Sequence, residues 1–268
     1  MPNYNNADLL DGIEIFFNAI KAKCLGYEEY AAEIIKSRGF LLEDNALILS
    51  DNSHKDDADY LNKLLTKENI GKVEGNKIII FPGGDVEKIF YSNIIGGSES
   101  CLAYGITFKQ FLYYNFAPKV PVVLLEKFIA RYVKAISACG VQTRGSCDGN
   151  HNDRRGRKLS IEISGEHYAL WHKIICKKCL ADKFNLHRNE GYDKIELNQM
   201  TKWKTYIELN RAAEFLYNHR LEIRAIRRKA SDEIINNMTK KLSDAELAEM
   251  FERNANKLFD DLKRNIRT

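Results

Sequence analysis

Apolar residues at helical spacing predict helices at both ends of the chain. Directly after the first helix, a second is expected over Tyr27–Ser37, closed by Gly39. Ser243 and Glu246 have capping-box spacing and predict the start of a last helix. The apolar stripes consist of Leu9, Ile13, Phe16, Phe17 and Ile20 in the first segment, and of Trp203, Tyr206, Ile207, Ala213 and Leu216 after Thr201.

The middle of the chain changes repeatedly between strand-like and helix-like patterns. Asn45–Ser50 and Asn76–Phe81 are short β-type runs, separated by a predicted helix over Asp56–Thr66. A turn at residues 82–85 ends the second run and predicts a helix through Ile95. From Val122 to Ala138 apolar residues recur at every fourth position, which predicts one continuous helix.

A hairpin and a further helix follow, and they complete the predicted fold. Val141–Thr143 and Leu159–Ser164 have the pattern of two strands, and Glu166–Phe184 has a helical stripe. We therefore predict a mixed α+β fold, in which a small sheet containing a hairpin at about 141–164 packs with several helices. The predicted division is an α/β body at 1–198, with a site-bearing hairpin at 140–165, and an all-helical C-terminal region at 199–268.

The composition is that of a globular protein rather than a disordered one. Of 268 residues, 44% are hydrophobic and 29% are charged. Residues 1–6 lack the basic and apolar regions of a secretory signal, and no apolar run approaches the ~20 residues that a membrane span needs. Six cysteines without an export signal indicate free thiols or a metal site rather than disulfides. These observations predict a cytoplasmic protein without a membrane partner.

The segment between the two strands of the hairpin carries the strongest chemical signal. Residues 143–158 are polar, and they exceed the ~2–5 residues that usually connect a hairpin. Long connections on a rigid scaffold often carry binding sites. Glycine backbone amides and arginine side chains suit phosphate or carboxylate oxygens. The candidate phosphate-binding residues are Arg144, Ser146, Asn150, Arg154, Arg155, Arg157 and Lys158.

The first functional hypothesis is an enzyme acting on nucleotides or nucleic acid, by phosphoryl or nucleotidyl transfer or by base modification. Asp148, Asp153 and Glu162 supply three carboxylates around one hairpin, a set that suits Mg²⁺. Glu162 lies between two isoleucines in sequence and is expected on the opposite face of the strand from them. His151 can act as acid or base near neutral pH. The candidate catalytic residues are therefore Asp148, His151, Cys147 and Glu162.

Two alternative hypotheses depend on cysteines. Cys147, His151, Cys176 and Cys179 have the residue types of a zinc site, which would stabilise a nucleic-acid-binding or interaction module without catalysis. In the other alternative the thiol of Cys147 is a nucleophile, activated by neighbouring cations and a histidine base. That base would be His151, His167 or His172.

A nucleic-acid partner also agrees with the distribution of charge. The net charge is +4, and Lys and Arg outnumber Asp and Glu in residues 136–268, whereas the reverse holds in the rest of the chain. A basic surface binds polyanions by releasing their counterions. The candidate contacts in the C-terminal region are Arg220, Arg224, Arg227, Arg228 and Lys229.

Three short segments resemble motifs of known families. Residues 143–149 are similar to the Ser-Cys-Ser-Gly turn of the tRNA wybutosine-synthesis methyltransferase family, with Gly145 and Asp148 where that turn has serines. This resemblance implies RNA or nucleotide chemistry and transfers no catalytic residue. Residues 96–98 resemble the opening turn of nucleotidyltransferases, but residues 108–121 contain no acidic residue for that site. Residues 176–183 resemble the second half of His-Asn-His nucleases, whose first half is not evident upstream.

Overall fold

A computed structural model of the chain describes most of its secondary structure. The described residues are 6–44, 46–47, 56–91, 121–141, 143–147, 159–163, 184–189, 192–197 and 202–225, with Ser243, 245–246, 249–250, Arg253, 256–257 and Asp260 near the C-terminus. The fold is α+β, with helices packed around two small antiparallel sheets, as predicted.

The principal helices lie at the start, in the middle and towards the end of the described chain. They are α1 (Asn6–Lys21), α2 (Tyr27–Ser37), α3 (Asp57–Lys67), the short α4 (Lys88–Tyr91), α5 (Ala130–Ala138) and α6 (Lys202–Asn218). Four of them, α1, α2, α3 and α6, agree closely with the predicted helices. The capping box is also confirmed, because the Ser243 amide donates to Glu246 Oε2 over 2.7 Å and the Glu246 amide donates to Ser243 Oγ over 3.3 Å.

The first sheet consists of four short strands in the order β1-β2-β4-β3. The strands are β1 (Leu42–Glu43), β2 (Ala46–Leu47), β3 (Gly71–Glu74) and β4 (Lys77–Ile80). Two of them, β2 and β4, lie within the predicted β-type runs, whereas their outer partners β1 and β3 were not predicted. The hairpin between β3 and β4 turns at Gly75, whose φ of 63° is readily adopted by glycine.

The second sheet has the order β5-β6-β8-β7, and all its strands are antiparallel. Its strands are β5 (Thr143–Cys147), β6 (Ser160–Ile163), β7 (Phe184–Asn189) and β8 (Tyr192–Leu197). The predicted helix at Glu166–Phe184 is wrong at its end, because Phe184 pairs with Leu197 as the first residue of β7. Residues 164–183 lie outside the described part of the chain.

Aromatic side chains join the N-terminal helices to α6 in one core. Phe128 stacks on Tyr206 with ring centroids 4.3 Å apart and an angle of 7° between the ring planes. On its other side Phe128 meets Phe16 of α1 edge to face, at 5.8 Å. Aromatic pairs in such geometries contribute about 1 kcal/mol beyond their buried area. Because α6 shares this core, the predicted boundary at residues 198–199 separates segments that pack together, and the division itself stays a prediction.

The helix α5 ends in a hydrogen-bonded glycine cap. Gly140 has a φ of 86°, its amide donates to Ser137, and the Val141 amide donates to Ile136. This is the pattern of a Schellman motif, in which a left-handed glycine stops a helix. The predicted strand at Val141–Thr143 is therefore wrong at its start, since Val141 completes the helix cap and β5 begins at Thr143.

The prediction of one continuous helix over Val122–Ala138 is also wrong. Val122–Leu124 form a short 3-10 turn, Leu125 is extended with a ψ of 138°, and α5 begins only at Ala130. External partners stabilise the interruption, because Asp57 accepts the Val122 amide at 2.9 Å and the Leu125 carbonyl accepts Arg38 Nη1 at 3.5 Å. The apolar repeat of this segment reflects burial on all sides rather than one helical face.

None of the helices in the described part of the chain is long and apolar enough to cross a lipid bilayer.

Candidate functional site

Four of the predicted site residues lie in the second sheet: Arg144, Ser146 and Cys147 in β5, and Glu162 in β6. The other predicted phosphate-binding, catalytic and metal-binding residues lie outside the described part of the chain. They are Asp148, Asn150, His151, Asp153, Arg154, Arg155, Arg157, Lys158, Cys176 and Cys179, and the alternative bases His167 and His172 lie outside it too.

The predicted loop is shorter than expected, because its first residues belong to a strand. Gly145, Ser146 and Cys147 pair with Glu162, Ile161 and Ser160 of β6, with an irregularity between Thr143 and Gly145. Polarity alone suggested a loop from residue 144, but these residues pair with β6 and form a strand. The connection between β5 and β6 comprises residues 148–159, which is still long for a hairpin.

Glu162 lies on the opposite face from its isoleucine neighbours, as predicted. Ile161 and Ile163 are completely buried, whereas Glu162 is half-buried. Its carboxylate folds over Gly145, where an added Cβ would lie 3.2 Å from Oε2. The glycine therefore leaves the space in which the carboxylate of Glu162 rests against the backbone of β5.

The pairing register assembles a row of polar residues on the Glu162 side of the sheet. Residues directly opposite on paired strands point to the same face, as do residues two apart on one strand. Glu162 pairs with Lys194 and Ser160 with Glu196, while β7 places His187 opposite Lys194 and Asn185 opposite Glu196. We call this surface the polar face, and its residues are Cys147, Ser160, Glu162, Asn185, His187, Lys194 and Glu196.

Glu196 is the centre of a group of polar contacts on the polar face. Its Oε1 lies 3.0 Å from Lys194 Nζ, and its Oε2 lies 3.2 Å from His187 Nε2. Its side chain is 16% exposed, whereas that of His187 is 51% exposed. The partly buried carboxylate thus orients an accessible imidazole and an ammonium. Ion pairs near the surface contribute only about 0–1 kcal/mol to stability, so this group adds little to the free energy of folding.

The opposite face anchors the sheet in the hydrophobic core. Ile161, Ile163 and Ile195 are at most 1% exposed and belong to the same apolar cluster as α5 and α6. Ser146 pairs with Ile161 and therefore lies on this apolar side. The structure does not bring Ser146 to the face that carries Cys147 and Glu162.

Five of the seven residues of the polar face were missed in the sequence: Ser160, Asn185, His187, Lys194 and Glu196. For Lys194 and Glu196 a signal exists, because Lys194–Leu197 alternates charged and apolar residues, and Gly191 shortly before it is a residue type common in turns.

The described part of the polar face offers acid–base groups rather than a preformed metal centre. Carboxylate and imidazole groups such as those of Glu162 and His187 can take part in general acid–base catalysis. Lys194 supplies an ammonium group, and Cys147 adds a partly buried thiol. Within the described ranges, no group of three or more Cys, His, Asp or Glu side chains has the geometry to hold a metal ion. A Mg²⁺ or Zn²⁺ site would therefore need at least one ligand from outside the described ranges.

The candidate cation Arg220 of the C-terminal region is already engaged within the protein. Its Nη2 lies 2.6 Å from Glu43 Oε1, and its guanidinium lies 4.2 Å above the ring of Tyr217. This arrangement ties the segment after α6 to β1. Arg220 is therefore a structural contact in this fold, and the polar face remains the better candidate site.

No family model, curated protein or solved structure matches the chain.

Proposed function

We propose that this chain is a cytoplasmic enzyme that acts on nucleotides or nucleic acid, by phosphoryl or nucleotidyl transfer or by base modification. The observation that carries the proposal is the polar face. Three strands bring a carboxylate, an imidazole and an ammonium together there, beside the two ends of the cation-rich segment 148–158.

The two strands that flank this segment in the sequence, β5 and β6, are paired with each other. Cys147, the last residue of β5, pairs with Ser160, the first residue of β6. Ser160 in turn pairs with Glu196, and the sequence between Cys147 and Ser160 contains Arg154, Arg155, Arg157 and Lys158. Guanidinium groups hold phosphate oxygens in a bidentate manner. A bound phosphate would then lie within reach of the polar face.

In the proposed mechanism the residues divide into proton-transfer groups and anion-binding groups. Glu162 accepts a proton from the attacking group, and His187 or His151 supplies one to the leaving group. Glu196 is a positioning residue, because it contacts both His187 and Lys194. The loop arginines and Lys194 neutralise phosphate charge. Any Mg²⁺ would be held by Glu162 with Asp148 and Asp153 and would stabilise charge on the transferred group.

The cysteine-based alternatives remain predictions. Cys147 lies at the end of β5 with its thiol partly buried, whereas His151, Cys176 and Cys179 lie outside the described residues. A zinc-stabilised module would use these four side chains, and a cysteine-nucleophile enzyme would use Cys147 with His151, His167 or His172 as its base.

Removing the loop cations is expected to weaken binding of single-stranded RNA. Substitution of Arg154, Arg155 and Arg157 by alanine should raise the Kd about tenfold or more and reduce the slope of log K against log salt by about 2, or ~0.7 for each lost phosphate contact. Fluorescence anisotropy with a labelled RNA, titrated at several salt concentrations, measures both quantities.

A matched control removes three cations elsewhere. Lys67→Ala, Lys72→Ala and Arg211→Ala change the net charge equally, at side chains that are 44–59% exposed on α3, β3 and α6. The control should bind RNA almost as the wild type does. Equal weakening in both triple variants would mean that net charge alone is responsible, and the site would lose its support.

A further inference from the structure

A cleft lined by none of the residues of the polar face lies between the corner that joins α1 to α2 and the turn before α4. Its volume is about 450 Å³. Sites for small ligands typically have volumes of roughly 300–1,000 Å³. One wall is formed by Lys21, Leu25, Tyr27 and Tyr30, and the other by residues 84–87. The proposed function uses none of these residues.

Two tyrosines hold the walls of the cleft together across 57 positions of sequence. The Tyr27 hydroxyl donates to the Gly84 carbonyl, and the Tyr30 hydroxyl donates to Glu87 Oε1 over 2.5 Å. Gly84 permits this approach, since a Cβ there would lie 3.2 Å from the Tyr27 hydroxyl and 3.1 Å from the Cα of Ile70. The cleft is therefore a preformed feature of the packed fold.

Charge in the cleft favours a cation. Asp85 and Glu87 provide two carboxylates against the single ammonium of Lys21.

The other titratable groups of the cleft are neutral. Burial is the main cause that raises the pKa of Tyr30, and the hydrogen bond to Glu87 adds to it. Burial also raises the pKa of Tyr27, with a smaller effect from the charge of Asp85, so both hydroxyls remain neutral donors. Burial, together with Glu29 and Glu33, also raises the pKa of the Cys24 thiol, which stays uncharged.

The carboxylate of Glu87 retains room for a ligand. A carboxylate offers about four lone-pair positions, and the Tyr30 hydroxyl occupies one of them. Asp85 is exposed at the rim of the same wall. An ammonium group entering the cleft can therefore contact these two side chains without breaking the tyrosine hydrogen bond.

The rim of the cleft presents apolar surface of the kind that packs on a ring. Leu25 is fully exposed and Tyr27 is 37% exposed, although both are large hydrophobic side chains. Aromatic faces also attract cations when the charge lies within about 6 Å of the ring centroid. Lys21 Nζ already adopts such a position, 5.9 Å from the ring centroid of Tyr30.

We propose that this cleft binds a small aromatic amine, with its ammonium group near Glu87 and Asp85 and its ring against Leu25 and Tyr27. The inference is independent of the proposed function, because it concerns a different part of the fold. The cleft is a ligand-binding site in this account, and no covalent chemistry occurs there.

Three probes that share a phenol ring test the proposal on the full chain. Tyramine carries an ammonium group, 4-ethylphenol is neutral, and 3-(4-hydroxyphenyl)propanoate carries a carboxylate. Isothermal titration calorimetry at millimolar probe concentrations should show saturable binding of tyramine, with about tenfold weaker binding of the neutral probe and none of the anionic probe. Equal binding of the three probes, or no saturable binding of tyramine, would overturn the proposal.

Variants of the wall locate the binding. Glu87→Gln keeps an acceptor for Tyr30 and should weaken tyramine binding about tenfold, because it removes a charge next to the ammonium. Asp85→Asn should weaken tyramine binding by a smaller factor. Because Asp85 is exposed, this variant should fold even if Glu87→Gln does not, and it then still tests the proposal. Glu74→Gln on β3 is the control and should bind tyramine as the wild type does. Unchanged binding by Glu87→Gln and Asp85→Asn would overturn the assignment.

Discussion

Lys134→Met is expected to lower the free energy of unfolding by about 3–5 kcal/mol, the usual cost of removing one partner from a buried ion pair. Lys134 on α5 and Asp57 at the start of α3 are 0% and 2% exposed, and Lys134 Nζ lies 3.6 Å from Asp57 Oδ2. Methionine fills the space of the lysine stem but leaves a buried carboxylate without its ammonium group. Urea denaturation followed by circular dichroism measures the change.

A double-mutant cycle separates the effect of the lost ion pair on stability from the effect of the changed side-chain shape. Asp57→Asn combined with Lys134→Met removes both charges, while the asparagine oxygen can still accept the Val122 amide as Asp57 Oδ1 does. The double variant should regain most of the lost stability, since a buried pair is often replaced by neutral groups at little cost. A loss equal to the sum of the two single losses would show that the charges do not interact.

The same lysine should make stability depend on alkaline pH. Burial lowers the pKa of Lys134 from 10.5 to about 8, although Asp57 acts in the opposite direction. Between these two values the unfolded chain binds more protons than the folded protein, so the contribution of Lys134 to the free energy of unfolding rises with pH. The difference in stability between wild type and Lys134→Met should therefore grow as pH increases from below 8 towards 10.5.

The second large effect is expected from Glu162→Gln, which should reduce the turnover of a nucleotide substrate about 10²–10⁴-fold, the contribution of a general acid or base. Glutamine is nearly isosteric and fits over Gly145 as the glutamate does, so the sheet should remain folded. RNA and nucleotide binding should stay the same or become tighter, because a negative charge is removed from an anion site. Chromatography of the four ribonucleoside triphosphates, with and without single-stranded RNA, measures consumption and products.

Glu208→Gln on α6 is the control for this substitution. Its side chain is 26% exposed and pairs with Arg211 away from the polar face, so turnover should equal that of the wild type. Two results count against the catalytic role of Glu162: turnover by Glu162→Gln at the wild-type rate, or an absence of nucleotide consumption by the wild type itself.

Local patterns in the sequence predicted the longer helices well. The stripes of α1 and α6 continue over several turns, and the residues that define them, such as Phe16, Phe17 and Tyr206, are buried. Gly39 marked the end of α2, and the structure confirms this with a φ of 108°. Such features depend on a few neighbouring residues, and a single sequence therefore contains them.

Features that depend on distant partners were not predicted. The short strands β1 and β3 become visible only through their pairing with β2 and β4. The break before α5 depends on Asp57 and Arg38, which lie 65 and 87 positions from the groups that they bind. Likewise, nothing near Lys134 in the sequence indicates that its charge is buried.

Only part of the candidate site could be predicted, because most of its residues come from segments that are distant in the sequence. The orientation of Glu162 followed from strand alternation, which is local. Its neighbours His187, Lys194 and Glu196 come from two strands that pair through a non-local register, so they could not be grouped with Glu162 in advance. The polarity of Arg144–Cys147 suggested a loop where the chain forms a strand.

Photo-cross-linking tests most directly whether the polar face holds the substrate. Two probes would be cross-linked to the wild-type protein in separate experiments. The first is single-stranded RNA that contains 4-thiouridine, and the second is 8-azidoadenosine triphosphate. Mass spectrometry would then identify the modified peptides. The account predicts that at least one probe labels peptides from 143–163 or 184–197, and that excess unmodified RNA or nucleotide prevents it. Labelling confined to the helices, or equal labelling in the presence of competitor, would contradict the account.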